Sequence, residues 1–162
     1  MFVAINTLFN GNQAGYIELS INNIILYSLI VMLSIIMFIL FHEYLHGIGF
    51  RIDREVIKKD IKFGFSKKLM APYCVCKKPN KITSTRISLM LPIFVICFPM
   101  FIAGLIIDNV GLLFFASFCL SGSSGDIYYL WKLRKEQKDH YMFEASVYNE
   151  NLLGFHVFKK VD

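Results

Sequence analysis

The stretch IILYSLIVMLSIIMFILF at residues 24–41 runs without a break into HEYLHG at residues 42–47. Its first part holds 18 consecutive residues without a charge, enough to cross a hydrocarbon core as a helix. A helix can do this because all of its backbone hydrogen bonds are made within the segment. The stretch therefore predicts a transmembrane helix that carries ionisable residues at one end.

Two further apolar runs follow, Ile87–Ile107 and Val110–Trp131, of 21 and 22 residues. The second of them holds a single charged residue, Asp126. We therefore predict a membrane α-helical protein with about three transmembrane helices. The predicted spans lie at about 24–46, 87–107 and 110–131.

The composition agrees with that fold class. Hydrophobic residues make up 56% of the 162 residues and charged residues only 18%. These values exclude a disordered chain, a disulfide-rich secreted domain and an ordinary soluble enzyme. We expect one integral-membrane domain over residues 1–162.

The basic residues indicate the orientation of the chain in the membrane. Residues 1–50 contain no Lys or Arg, whereas residues 51–86 contain 11 of the 17 and only three acidic residues. Cytoplasmic loops are enriched in Lys and Arg, so we expect the loop 51–86 and the tail 132–162 to be cytoplasmic and the N-terminus to lie outside. Because the charges flank apolar spans, we expect contact with membrane lipid and no nucleic-acid partner.

The loop 51–86 also contains a strand pattern. Residues 61–65 alternate apolar residues with polar or small ones, and residues 69–76 form a second extended apolar stretch. This pattern predicts a small cytoplasmic β-hairpin region over residues 61–76. Two more short strands are expected in the tail, at residues 140–148 and 155–160.

The residues HEYLH at 42–46 form an H-E-x-x-H pattern. A spacing of four places His42 and His46 on the same face of a helix, close enough to share one ion. Zn²⁺ suits two imidazoles and one carboxylate, with the fourth position open. Glu43 is then the candidate catalytic base, which takes a proton from water as it attacks a carbonyl.

Asp126 is the leading candidate for a third metal ligand. With the orientation above, it lies at the same membrane depth as the two histidines, because it comes near the cytoplasmic end of its own span. The preceding small residues, 121–125, allow close helix approach. A different interpretation is that Asp126 caps a helix that restarts after this stretch. The competing ligand candidates are Asp108, at the opposite membrane face, and Asp139, His140, Glu144 and His156 in the tail.

The sequence resembles a family of small bacterial zincin membrane peptidases of unknown function, related to the site-2 protease group of intramembrane metalloproteases. The resemblance covers about residues 41–148. Its features are HEYLHG at 42–47, FGF at 63–65, APYC at 71–74, Pro92, and SGD at 124–126.

The resemblance implies a zinc endopeptidase near the cytoplasmic boundary of a bacterial cell membrane. His42, His46 and Asp126 would be zinc ligands and Glu43 the general base. The chain departs from larger site-2 proteases, because it has only three clear spans and no PDZ-like insertion, and because Asp126 follows Ser-Gly. Substrate type and regulation are therefore not transferred.

Three functional hypotheses follow from the sequence. The first is an intramembrane zinc endopeptidase that hydrolyses a membrane-associated protein or peptide near the cytoplasmic face. The second is a non-catalytic membrane module, of immunity or regulatory type, that binds metal or a partner. The third is a basic membrane-surface scaffold, which predicts no bound metal. Chelator-sensitive hydrolysis that is lost on Glu43→Gln would distinguish the first from the others.

Overall fold

The computed structural model describes residues 21–67, 70–138, 140–144 and 155–159, and it is mostly helical. The helices are α1 (Ile21–Phe50), α2 (Ile82–Pro92), α3 (Phe98–Ile106), α4 (Val110–Gly122) and α5 (Ser124–Leu133), with a 3₁₀ turn at Lys58–Asp60 and a π-helical segment at Ile93–Cys97. The strands are β1 (Ile61–Ser66), β2 (Ala71–Cys76), β3 (Asn80–Lys81), β4 (Tyr141–Glu144) and β5 (Phe155–Phe158).

Two helical stretches are long and apolar enough to cross a membrane, Asn23–Phe50 and Ile82–Ile106. Helices α4 and α5 qualify together as a third if the bent pair is counted as one span. The predicted membrane-helical class with small antiparallel sheets is therefore confirmed in outline, with two or three candidate spans. The two stretches Asn23–Phe50 and Ile82–Ile106 are longer than the predicted spans 24–46 and 87–107, because each continues beyond its apolar run toward the loop 51–86.

The predicted hairpin is present. Strands β1 and β2 pair antiparallel, from Ile61 opposite Cys76 to Ser66 opposite Ala71. The two tail strands are also present, as β4 and β5, and they pair antiparallel with each other. Strand β3 was not predicted, because it is only two residues long and pairs with β4 rather than with a neighbour in sequence. Residues 145–148 of the predicted tail strand lie outside the described residues.

The chain divides into two compact units, the first formed by residues 1–39 and 93–123. Within its described part, α3 and α4 pack closely at Gly104, where an added Cβ would lie 2.9 Å from the side chain of Leu113. The side chain of Asn109 caps α4 by accepting a hydrogen bond from the Leu112 N–H at 2.9 Å. The Gly104 contact thus packs α3 against α4, and the Asn109 cap fixes where α4 begins.

The second unit comprises residues 40–92 and 124–162 and contains two apolar clusters. One cluster contains Phe50, Val56 and Cys76, and it packs the end of α1 against the hairpin. The other joins α2, α5 and β4. Its buried members are Ile82, Leu89, Leu133 and Met142.

A buried carboxylate fixes the base of the hairpin. Asp60 Oδ2 accepts a hydrogen bond from the Ile57 N–H at 3.0 Å and forms an ion pair with Lys78 Nζ, also at 3.0 Å. The Ile57 N–H and, to a smaller extent, Lys78 hold the pKa of Asp60 below its ordinary value. The hairpin is therefore anchored at its base by a carboxylate that stays ionised at neutral pH.

Arg86 ties α2 to the C-terminal end of α5. Its half-buried guanidinium donates through Nη2 to the carbonyl oxygens of Leu133 and, at 2.9 Å, of Glu136. The last carbonyls of a helix have no partner within the helix, and a positive charge there is favoured by the helix dipole. Arg86 thus serves as a cap supplied by a neighbouring helix.

We expect Arg86→Met to lower the stability of the folded protein by about 1–3 kcal/mol, since two carbonyls lose a charged donor. Denaturant unfolding of the purified protein in detergent micelles, followed by the fluorescence of Trp131 on α5, measures the change. Arg86→Lys is the matched control, because an ammonium group can still donate to these carbonyls. Equal losses for the two variants would contradict the assigned capping role.

Candidate metal centre

Helix α1 carries two of the predicted ligands in its last three turns. His42 and His46 are both buried, with 9% and 7% of their surface exposed. Their Nε2 atoms lie 3.1 Å apart and their ring centroids 4.8 Å apart. The spacing of four thus turns both imidazoles toward one point.

Asp126 lies in the first turn of α5, just after the helical break at Ser123. The Ser123 hydroxyl donates to the Cys119 carbonyl at 3.2 Å, a side-chain bond of the kind that bends helices. A carboxylate in the first turn of a helix is stabilised by the partial positive charge of the helix N-terminus. The restart of the helix therefore provides a favourable place for a buried negative charge.

The structure brings the three candidate ligands together within the second unit. Asp126 Oδ2 lies 3.1 Å from His42 Nε2, and Asp126 Oδ1 lies 3.5 Å from His46 Nε2. Ligand atoms bound at about 2.0–2.1 Å around a tetrahedral zinc ion lie roughly 3.3 Å from one another. The spacing of these donor atoms therefore fits a zinc ion.

The hydrogen bonding of His46 also fits a metal. Its Nδ1 lies 2.9 Å from the Ser88 carbonyl oxygen, which can only accept, so Nδ1 carries the hydrogen and Nε2 presents a lone pair. Among the described residues, the buried Oδ2 of Asp126 accepts no hydrogen bond. The lone pair of His46 Nε2 and the carboxylate of Asp126 thus face the same point, as a cation site requires.

Glu43, the predicted catalytic base, is half-buried beside the ligand face. At 3.6 residues per turn, its Cβ projects about 60° from that of His46 around the helix. The side chain therefore leaves α1 on a face next to that of His46. This position is compatible with proton transfer at the metal centre.

Among the described residues, His42, His46 and Asp126 form the one group of three or more His, Cys, Asp or Glu side chains close enough to hold an ion. The competing candidates are not part of it. Asp108 is exposed in the connection between α3 and α4, and His156 is exposed on β5. His140 Nδ1 pairs with Glu136 Oε2 at 3.6 Å. Asp139 and the side chain of Glu144 lie outside the described residues.

Sequence reasoning missed Ser88, whose carbonyl orients His46. No motif contains it, and 42 positions separate the two residues. The available signal was weak: small residues at Gly47 and Gly49 directly after the histidines, and small polar residues at the start of the second span. Together they suggest close helix contact at this level without naming the partner.

The fold and the site define a class of protein, namely proteins with helices of membrane-spanning length and a candidate metal site. That site combines the two histidines of an H-E-x-x-H helix with an aspartate from another helix. Residues 21–141 match a protein-family model described as "Putative zincin peptidase". Because the match covers most of the chain, the protein belongs to that family. The family implies a metallopeptidase with zinc as its metal. No curated protein and no solved structure matches the chain.

We expect the purified protein to bind one zinc ion per chain and Asp126→Ala to lose most of it, because the variant removes the only carboxylate of the group. Elemental analysis after dialysis against a weak chelator measures the stoichiometry. Asp108→Ala is the control, since it removes an exposed aspartate outside the group. Retention of one zinc ion by Asp126→Ala would exclude Asp126 as a ligand.

Proposed function

We propose that the protein is a membrane-embedded zinc endopeptidase that cuts a membrane-associated protein or peptide near the cytoplasmic face. The observation that carries this proposal is the convergence of His42, His46 and Asp126, with ligand-atom distances of 3.1 to 3.5 Å, next to Glu43. Membership in a zincin family supports the reaction class. The site between the helices supports the membrane setting.

In this proposal each side chain has a distinct role. His42 and His46 would hold the metal through Nε2, and Asp126 would hold it through its carboxylate. The bound zinc ion supplies Lewis-acid chemistry. Glu43 takes a proton from the water whose oxygen attacks the peptide carbonyl carbon. It then delivers that proton to the leaving nitrogen as the C–N bond breaks, so that the carboxylate is regenerated.

The burial of the site favours this chemistry. The side chains of His42, His46 and Asp126 are only 9–15% exposed. Charges interact more strongly where water is excluded, so the burial of the Asp126 carboxylate strengthens its attraction for a metal cation. A substrate must then reach the site as an extended segment, because a helix shields its own peptide bonds.

Glu43→Gln should lower peptide-bond hydrolysis at least about 100-fold while the protein keeps its zinc, because the amide cannot accept the proton. The assay uses purified protein in detergent with a fluorescently labelled unfolded protein as probe, with and without a chelator. Glu55→Gln is the matched control, since Glu55 is exposed and outside the group.

The outcomes separate the functional hypotheses. Hydrolysis that persists in Glu43→Gln would refute the assigned base. Zinc binding by the unaltered protein without any hydrolysis would favour the non-catalytic module instead. Absence of both would favour the basic scaffold.

We also propose that all three helical stretches cross the bilayer, with the N-terminus outside and the metal centre near the inner face. The clustering of basic residues in the loop 51–86 supports this orientation. Trp131 supports an interfacial position for the end of α5, because it is 57% exposed and Arg134 Cζ lies 4.4 Å from its ring centroid. Anionic headgroups are the proposed lipid partner of these basic residues.

A membrane-impermeant thiol reagent tests this topology. We expect Ile107→Cys to react in intact cells and Lys67→Cys to react only after lysis, since both positions are exposed and the proposal puts them on opposite sides. The native cysteines are replaced by serine in both variants. The reverse labelling pattern would overturn the orientation, and labelling of both in intact cells would overturn the span count.

A further inference from the structure

His46 and Ser88 are joined by two reciprocal hydrogen bonds. The imidazole donates from Nδ1 to the Ser88 carbonyl at 2.9 Å, and the Ser88 hydroxyl donates to the His46 carbonyl at 2.8 Å. Ser88 has no exposed surface. The ring of this candidate ligand is therefore held from the side opposite to the metal centre.

Gly49 makes this contact possible. A Cβ atom added at Gly49 would lie 2.2 Å from the Cα and 2.8 Å from the backbone N of Ser88. Because these are main-chain atoms, no rotamer change can relieve the overlap, and α1 or α2 would have to shift. Gly49 lies less than one helical turn after His46, so such a shift would act directly on the bond to the imidazole.

The partner of Nδ1 controls what Nε2 can do. A carbonyl oxygen can only accept, so it keeps the hydrogen on Nδ1 and leaves the Nε2 lone pair for the metal. It also fixes the rotation of the ring about its bond to Cβ. Outer partners of metal-binding histidines typically change metal affinity about 10- to 100-fold when they are lost.

We propose that the main chain of Ser88, brought close by Gly49, is the positioning element that sets the tautomer and direction of His46 for zinc. This inference rests on the proposed metal centre. The residues that it adds to the site, Gly49 and Ser88, both lie outside the H-E-x-x-H pattern. The main-chain carbonyl, rather than the serine hydroxyl, is the group that faces the imidazole.

Gly49→Ala tests the proposal, with Gly104→Ala as matched control. The control introduces a milder overlap away from the metal centre, because its Cβ would lie 2.9 Å from the Leu113 side chain and 3.1 Å from the Leu113 backbone N. We expect Gly49→Ala to weaken zinc binding at least about 10-fold in competition with a chromophoric chelator. We also expect it to alter the visible spectrum of the cobalt-substituted protein. Gly104→Ala should lower thermal stability and leave both metal readouts unchanged.

A second measurement determines the tautomer of His46 in the unaltered protein. Nitrogen-15 NMR of the metal-free, histidine-labelled protein at alkaline pH reports which ring nitrogen carries the hydrogen, and His46→Gln identifies the signal. Hydrogen on Nδ1 of His46 supports the proposal, and hydrogen on Nε2 overturns it. Unchanged zinc affinity in a folded Gly49→Ala protein also overturns it. Absence of zinc from the unaltered protein would instead refute the proposed function.

Discussion

The close grouping of two imidazoles and one carboxylate is the constraint on which the rest of the second unit depends. Their donor atoms are held 3.1 to 3.5 Å apart in a buried place, where an unbalanced charge is costly. Such a group persists only if the surrounding chain fixes all three side chains. Residues of α1, α2 and α5 do so together, and the hairpin and tail strands pack against the ends of these helices.

Helix α2 holds the two ligand-bearing helices without supplying a ligand. Ser88 faces His46 on α1. Two residues earlier, Arg86 donates to the carbonyl of Leu133 at the end of α5, the helix that carries Asp126, and to that of Glu136 just beyond it. On the same helix α2, Ile82 and Leu89 pack into the apolar cluster that includes Leu133. One helix thus combines a polar contact to each neighbour with an apolar face, which explains how two segments more than 70 positions apart in sequence meet at one point.

The sequence allowed much of this to be predicted, for identifiable reasons. His42 and His46 follow from helical spacing alone, and Asp126 follows from the depth expected of it under the orientation that the basic loop predicts. Their convergence is seen in the structure, while their role as ligands stays a prediction. The Gly49–Ser88 contact was not predictable, because it depends on main-chain atoms of two helices rather than on any side-chain pattern. Strand β3 was missed because its partner β4 lies some 60 positions away in sequence.

The interruption of the helix at Ser123 means that the two halves of the site differ in how they tolerate changes in chain length. One residue inserted between positions 42 and 46 would rotate one imidazole about 100° away from the other, since a continuous helix passes rotation along its hydrogen-bond ladder. At Ser123 the regular helix gives way to a turn, so an insertion there can be absorbed before α5 begins. The position of Asp126 can therefore tolerate an insertion before α5, whereas the spacing between His42 and His46 cannot change without separating the two imidazoles.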